Sequence, residues 1–307
     1  MQWRHPCGTL VRRCTFNPHL TLRESTIAVV GLGLMGGSLA MACRHGAICR
    51  EVIGVTRRSE TARQALDLAA VHRATTDLAE GVGDADVIVL ASPVRIIIRQ
   101  LRQLATIPLR PCLLLDLGST KHDIVQAMAG LPPQVQPLGA HPMCGKETSG
   151  LSAADPALYR GAPWVLAPLP RTSPAALALA RELATAVGAR PLVMDADRHD
   201  RLVAAVSHLP YLLAVALVRA SAELAEVDAM VWQLAASGFR DTSRLAGSDV
   251  DMMLDILMTN RAAVGEALAR ASSQLSRLAK LVAAADEDGL RALLTSARSL
   301  RTTANTK

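Results

Sequence analysis

Ile27-Ala28-Val29-Val30-Gly31-Leu32-Gly33-Leu34-Met35-Gly36-Gly37-Ser38 is the stretch that decides the fold class. An apolar run ends in glycine, the glycines then follow Gly-x-Gly-x-x-Gly, and an Ala-rich helical segment, Ser38–His45, comes next. Strand, glycine turn and helix in that order predict the opening of a βαβ unit built to hold a dinucleotide. Each glycine has a mechanical task. Gly31 permits the tight turn, Gly33 lets a pyrophosphate approach the backbone, and Gly36 lets helix and strand pack closely, with Leu34 and Met35 between them. The helix N-terminus supplies amide donors and a favourable dipole to the phosphates.

Outward from this loop, the second strand, Val52–Val55, runs into Thr56-Arg57-Arg58. NAD-binding versions carry Asp or Glu at that place for the ribose hydroxyls. A hydroxyl and two guanidiniums suit a 2′-phosphate instead, so NADP is favoured over NAD. Glu60 is close by, but it falls in the following helix, Ser59–Ala70. Further strands are predicted at Asp86–Ala91 and at Leu113–Leu117, with Trp164–Ala167 and Pro191–Met194 extending the sheet at its edge. Ser92-Pro93 ends the third strand and is placed against the nicotinamide. Strands and helices alternating at this spacing indicate an α/β domain, a parallel sheet with helices on both faces. After Arg198 the strand signals stop, and Ala/Leu-rich helical periodicity runs on. Leu202–Glu226 reads as one helix kinked by Pro210. The expected organisation is a disordered tail over 1–24, a dinucleotide-binding domain over 25–195 and an all-α domain over 196–307.

The 33 basic and 27 acidic residues give a net charge of +6 with no dense cationic stripe, and aromatics are 2% of the chain. Nucleic-acid binding is therefore not expected, while a mildly basic surface suits anionic ligands. Six cysteines without a CxxC pair read as reduced thiols, and no metal site is expected. The apolar run Leu209–Val218 is too short to cross a bilayer, and residues 1–24 lack the apolar core of a secretory signal, so a cytoplasmic protein is expected.

Three more segments carry chemistry. Asp116-Leu117-Gly118-Ser119-Thr120-Lys121 follows the fourth strand, and Gly139-Ala140-His141-Pro142-Met143-Cys144-Gly145-Lys146-Glu147-Thr148-Ser149-Gly150 follows another. The last pair is Ser207-His208-Leu209-Pro210-Tyr211 and Gly238-Phe239-Arg240-Asp241-Thr242-Ser243-Arg244. Ligands of an open parallel sheet sit beyond the carboxyl ends of its strands, where Ser119 and His141 fall.

With the glycine loop, these segments resemble the prephenate and arogenate dehydrogenases of tyrosine biosynthesis, over roughly residues 26–290. The resemblance implies a Rossmann-type domain followed by a helical dimerisation domain, hence a homodimer; from the sequence itself no added regulatory domain or chorismate-mutase segment is expected. It implies oxidative decarboxylation of a cyclohexadienol carboxylate by hydride transfer to the nicotinamide. By that similarity His141 accepts the hydroxyl proton, a task that an imidazole suits near neutral pH. Ser119 orients it, and Arg244 clamps a substrate carboxylate with bidentate geometry. Lys146, Glu147 and Tyr211 are placed at the substrate's side chain, and His208 either lines the cleft there or caps and packs within the helical domain. Several relatives carry histidine where Tyr211 stands. Glu147 favours arogenate's ammonium and Lys146 favours prephenate's second carboxylate, so the pair argues both ways; prephenate is named, with arogenate as the alternative.

Other residues read more plainly. His5, His19, His45, His72, His122 and His199 are taken as surface or satisfied core histidines, Lys121 as a solvated first-turn lysine, and Asp116 as structural. Two rivals stand beside the dehydrogenase. One is a β-hydroxyacid or imine reductase, which shares the glycine loop; the hydroxyacid enzymes add a Gly-x-x-Gly-x-Gly helix with a catalytic lysine that is not found here. The other is a non-catalytic NADP-sensing module, which gives no reason for His141, Ser119 and Arg244 to occur together.

Overall fold

The computed structural model describes residues 16–146 and 148–305. The first half alternates as the sequence predicts. In chain order come β1 (Thr26–Val30), α1 (Leu34–His45), β2 (Glu51–Val55), α2 (Ser59–Asp67), β3 (Arg73–Thr75) and α3 (Leu78–Val82). They are followed by β4 (Val87–Leu90), α4 (Val94–Leu104), β5 (Cys112–Asp116), α5 (His122–Ala129) and β6 (Val135–Pro142). Then come β7 (Pro163–Pro168), α6 (Pro174–Ala186), β8 (Arg190–Val193) and α7 (Ala196–Val203).

The sheet runs β3-β2-β1-β4-β5-β6-β7-β8. All neighbours are parallel except β6 and β7, which are antiparallel. Chain order reverses between β1 and β4, and that is where open α/β sheets hold their ligands. Because successive strand residues point to opposite faces, Ile27 and Val29 join one core layer while Ala28 and Val30 join the other. Val87 and Val89 divide from Ile88 and Leu90 in the same way. Burial on both faces explains why these strands are uninterrupted apolar runs rather than alternating ones.

Two compact units form. One comprises the chain to Leu202 together with Gly247–Asn260, and the other comprises Val203–Ala246 and the chain from Arg261 onward. The expected single boundary at 195/196 thus differs from the fold in two respects. The α/β unit keeps α7, whose His199 and Asp200 are buried, and it recruits α11 (Val250–Thr259) from the helical half. Helix α11 is held there by an ion pair between Asp255 and Arg95 (3.3 Å). The elements between are α8 (Leu209–Ala225), α9 (Met230–Gln233) and α10 (Ser237–Ser243); α12 (Arg261–Ala283) and α13 (Glu287–Asn305) follow.

The expected disordered tail also needs correction. Residues 1–15 lie outside the described residues, but Leu22–Glu24 forms a 3₁₀ turn against α6. Leu22 is buried in the core there, with Phe16 and Leu20 packed on it. Pro210 is likewise accommodated in a different way. A π turn, Ala204–His208, precedes it, and such a widened turn relieves the clash of a proline ring with the carbonyl four residues back. The helical run containing it, Ala196–Ala225, is longer than the expected apolar stretch, long and apolar enough by composition to cross a membrane.

The glycine contacts give a stability prediction. A Cβ on Gly36 would lie 1.9 Å from the Gly31 carbonyl oxygen, whereas one on Gly33 would meet nothing within 4 Å. Gly36→Ala should lower unfolding free energy in urea by about 3 kcal/mol or more, the upper range for overpacking, and Gly33→Ala by less than about 1 kcal/mol.

Candidate active site

The glycine loop turns at Gly31 with φ +100°, a conformation open to glycine. Its α-carbon sits so close to the end of β4 that a Cβ would lie 2.8 Å from both the Ala91 carbonyl oxygen and Ser92 Oγ. Gly33 heads α1 with no side-chain cap. The first-turn amides therefore face the open space beside Gly33, a cradle suited to a pyrophosphate. Tyr159, fully buried, donates its hydroxyl to the Met35 carbonyl (2.6 Å) and fixes the first turn of α1 from behind. Ser92 Oγ accepts from Gln100 Nε2 (3.1 Å), and Pro93 precedes α4. Thr56 is half-buried at the end of β2, and Arg57 and Arg58 are exposed beside it. Glu60 lies in the first turn of α2; its own backbone N–H, and then Ser59 Oγ, hold its carboxyl below the usual range.

The carboxyl ends of β5 and β6 carry the candidate catalytic side chains, Ser119 and His141. Leu115 pairs with Leu138, so the loop after Asp116 lies alongside Gly139–His141. Asp116 is fully buried. One of its oxygens accepts from the Ala140 N–H (2.9 Å), and the other accepts from the Gly118 N–H (2.8 Å) and from Lys121 Nζ. Burial pushes the Asp116 carboxyl up and the Lys121 ammonium down, and their mutual attraction opposes both shifts. Lys121 is therefore not the solvated lysine that the sequence suggests. It has no exposed side-chain surface and closes the Asp116 pair.

His141, on the last turns of β6, is half-buried, and its Nδ1 lies 2.8 Å from His199 Nε2. His199 is buried, and its Nδ1 lies 2.8 Å from Asp200 Oδ1. Asp200 also accepts from the Lys121 N–H (2.7 Å) and the His122 N–H (2.9 Å) at the start of α5. Burial alone raises the Asp200 carboxyl, but the His199 ring and these two amides outweigh it and hold it below its usual range. The Asp200 carbonyl accepts from Asn260 Nδ2 (2.8 Å), and Thr120 and Thr259 hydroxyls meet at 2.8 Å, so α11 braces the same loop. Ser119, half-buried, stands in that loop. His199 and Asp200 are the members that sequence reasoning missed. They are adjacent in sequence, but nothing local shows that His199 reaches His141.

The remaining candidates fall elsewhere. Lys146 Nζ is engaged by Asp155 (2.9 Å), and both side chains are largely exposed. Glu147 lies outside the described residues. Cys144 is half-buried, with its thiol pushed up to about 11 by burial, so it is no nucleophile at neutral pH. In the helical unit His208 is buried in the π turn, Tyr211 is half-buried on α8, and Arg244 is exposed where α10 ends. Among the described residues no group of His, Cys, Asp and Glu could hold a metal ion.

Comparison with known proteins decides the family. A family model described as prephenate dehydrogenase, nucleotide-binding domain, matches residues 39–193, and prephenate dehydrogenase, dimerization domain, matches residues 195–296. The chain belongs to the prephenate dehydrogenase family. It is 33% identical over 240 residues to the prephenate dehydrogenase of Bacillus subtilis, a match covering 78% of this chain and 65% of that protein. This chain therefore spans about two-thirds of that relative's length. Among solved structures, prephenate dehydrogenase from A. aeolicus in complex with hydroxyphenyl propionate and NAD+ superposes with a TM-score of 0.85 at 29% identity. That match covers 92% of this chain and 99% of the other. Synechocystis arogenate dehydrogenase gives a TM-score of 0.78 at 30% identity, over 91% and 99% of the two chains.

The buried pair is open to a direct test in this family member. Lys121→Met leaves the Asp116 carboxylate buried without its counter-charge. Stability in urea should fall by about 3–5 kcal/mol, the cost of breaking a buried pair at one partner.

Proposed function

We propose that this chain is an NADP-dependent prephenate dehydrogenase that converts prephenate to 4-hydroxyphenylpyruvate and carbon dioxide. The observation that carries the reading is His141 at the end of β6, beside the Ser119 loop, in a chain whose glycine cradle fits a dinucleotide. A dinucleotide held by Gly31, Gly33 and Gly36 would supply the hydride acceptor for ring C4. His141 takes the C4 hydroxyl proton as the carbonyl forms. The ring carboxylate then departs as carbon dioxide, its bonding electrons aromatise the ring, and His141 returns the proton to the ring oxygen. Ser119 orients the hydroxyl against His141. Arg244 is assigned to a substrate carboxylate, and His208, Tyr211, Lys146 and Glu147 to the side chain.

NADP is preferred because β2 is followed by Thr56-Arg57-Arg58, with the anionic Glu60 displaced into α2. Arogenate is the second reading, and one observation favours it. Asp155 already engages Lys146, the cation that would otherwise meet prephenate's second carboxylate. A homodimer is proposed on the dimerization-domain match and on exposed apolar side chains in the helical unit, Val206, Val227 and Leu234, at 69%, 86% and 77% exposure. Such surface is costly to leave in water. A cytoplasmic enzyme of tyrosine biosynthesis is the setting this reading implies.

The test follows absorbance at 340 nm with prephenate and arogenate, each with NADP and with NAD. Turnover is expected with prephenate and NADP, and His141→Ala should lower kcat by about 10²–10⁴-fold. Arg58→Ala should raise KM for NADP by about 10–100-fold, the worth of a charge-assisted hydrogen bond, and leave NAD unaffected. Tight NADP binding without turnover of either substrate would sink the enzyme reading and favour the sensing module.

A further inference from the structure

We infer that His199 and Asp200 are positioning residues that fix the tautomer of His141, so that its Nε2 carries the lone pair the reaction needs. The inference rests on the reading of His141 as the proton acceptor and adds how that nitrogen is prepared.

The polarity of the chain is set at Asp200. Its carboxylate is an acceptor only, and its oxygens already receive the Lys121 and His122 amides. The 2.8 Å contact to His199 Nδ1 is therefore a donation from that nitrogen to Asp200. In a neutral ring the other nitrogen then has no hydrogen, and His199 Nε2 is an acceptor. Its 2.8 Å contact with His141 Nδ1 requires His141 to donate from Nδ1. The hydrogen on His141 thus sits at Nδ1, and Nε2 is left basic. A hydrogen bond at one ring nitrogen sets the state of the other, and two such steps carry the polarity of one carboxylate to the reacting nitrogen.

The geometry holds each member in place. His199 is 1% exposed and Asp200 4%. Asp200 is gripped by the start of α5 through two amides and by Asn260 through its own carbonyl. The two imidazoles meet edge to face, 5.0 Å between centroids and 76° between planes, so the N–N line is held by packing as well as by the hydrogen bond. The proton taken in the reaction stays on His141 Nε2 until it is returned. The carboxylate stabilises the imidazolium through the two rings without accepting a proton.

The competing arrangement is specific. A doubly protonated His199 would donate to both neighbours and force the His141 hydrogen onto Nε2, where it blocks proton acceptance. Ring ¹⁵N NMR of the full-length, histidine-labelled protein at neutral pH separates the two without any substrate, with His141 assigned from His141→Gln. His141 Nδ1 should show the protonated shift and Nε2 the unprotonated one; the reverse overturns the inference. Kinetics give the second arm. Gln at 199 can place an acceptor oxygen near the Nε2 position, and Leu cannot. His199→Gln should keep kcat within about tenfold, and His199→Leu should lose on the order of 10³-fold in kcat with little change in KM, as wrong-tautomer variants do. Equal losses in the two variants would reduce His199 to a packing residue. If wild type turns over neither substrate, the proposed reaction fails, and the tautomer is still decided by the NMR.

Discussion

A single buried carboxylate, Asp116, holds the reacting end of the α/β unit together. It stands at the last position of β5 and ties three things that would otherwise be free to drift apart. The Ala140 amide precedes His141, the Gly118 amide precedes Ser119, and the Lys121 ammonium opens α5. A charge with no exposure to water is tolerated only when its lone pairs are met and its charge is balanced. Here two amides and a lysine meet that demand, and the same bonds place the serine loop beside the strand that bears the histidine.

Lys121 links this centre to a second one. Its side chain serves Asp116 while its backbone amide serves Asp200. Two acidic residues 84 positions apart in sequence are thereby joined through one lysine, one holding the strands and the other the histidine pair. Neither needs to touch substrate to matter. The proposed chemistry asks only that one nitrogen of His141 be basic and aimed, a demand that a rigid polar network in a dry interior suits at little reorganisation cost. The glycine loop solves a separate problem by the same economy. Where Gly31 and Gly36 let backbone meet backbone, Gly33 leaves space.

Much of this was legible in the sequence, and the reasons for the rest are physical. β1, β2, β4 and β5 are apolar runs with both faces buried, and each is bounded by turn residues, so periodicity and punctuation agree. β3 is three residues long and β6 carries Pro137, Gly139 and Pro142, so propensity argues against both even though the sheet accepts them. Position alone misplaced Lys121. The first turn of a helix is usually wet, and only the fold shows the chain turning it inward toward Asp116. His199 reads from sequence only as a surface or satisfied core histidine; it is a buried one, and the residue that meets it on one side, His141, is 58 positions away. The return of α11 to the α/β unit was invisible for a like reason. Its polar ties, Asp255 to Arg95 and Thr259 to Thr120, are ordinary residues until the fold pairs them.

The proposed function turns on proton acceptance at His141, between the ends of β5 and β6, next to a dinucleotide held by the glycine loop. A crystal structure of the full chain with NADP and a 4-hydroxyphenyl product analogue tests it most directly. The ring hydroxyl should lie within about 2.6–3.2 Å of His141 Nε2, the reach a proton acceptor requires, with the pyrophosphate over Gly33. A ring hydroxyl bound away from His141, or directed at it through Nδ1, would contradict it.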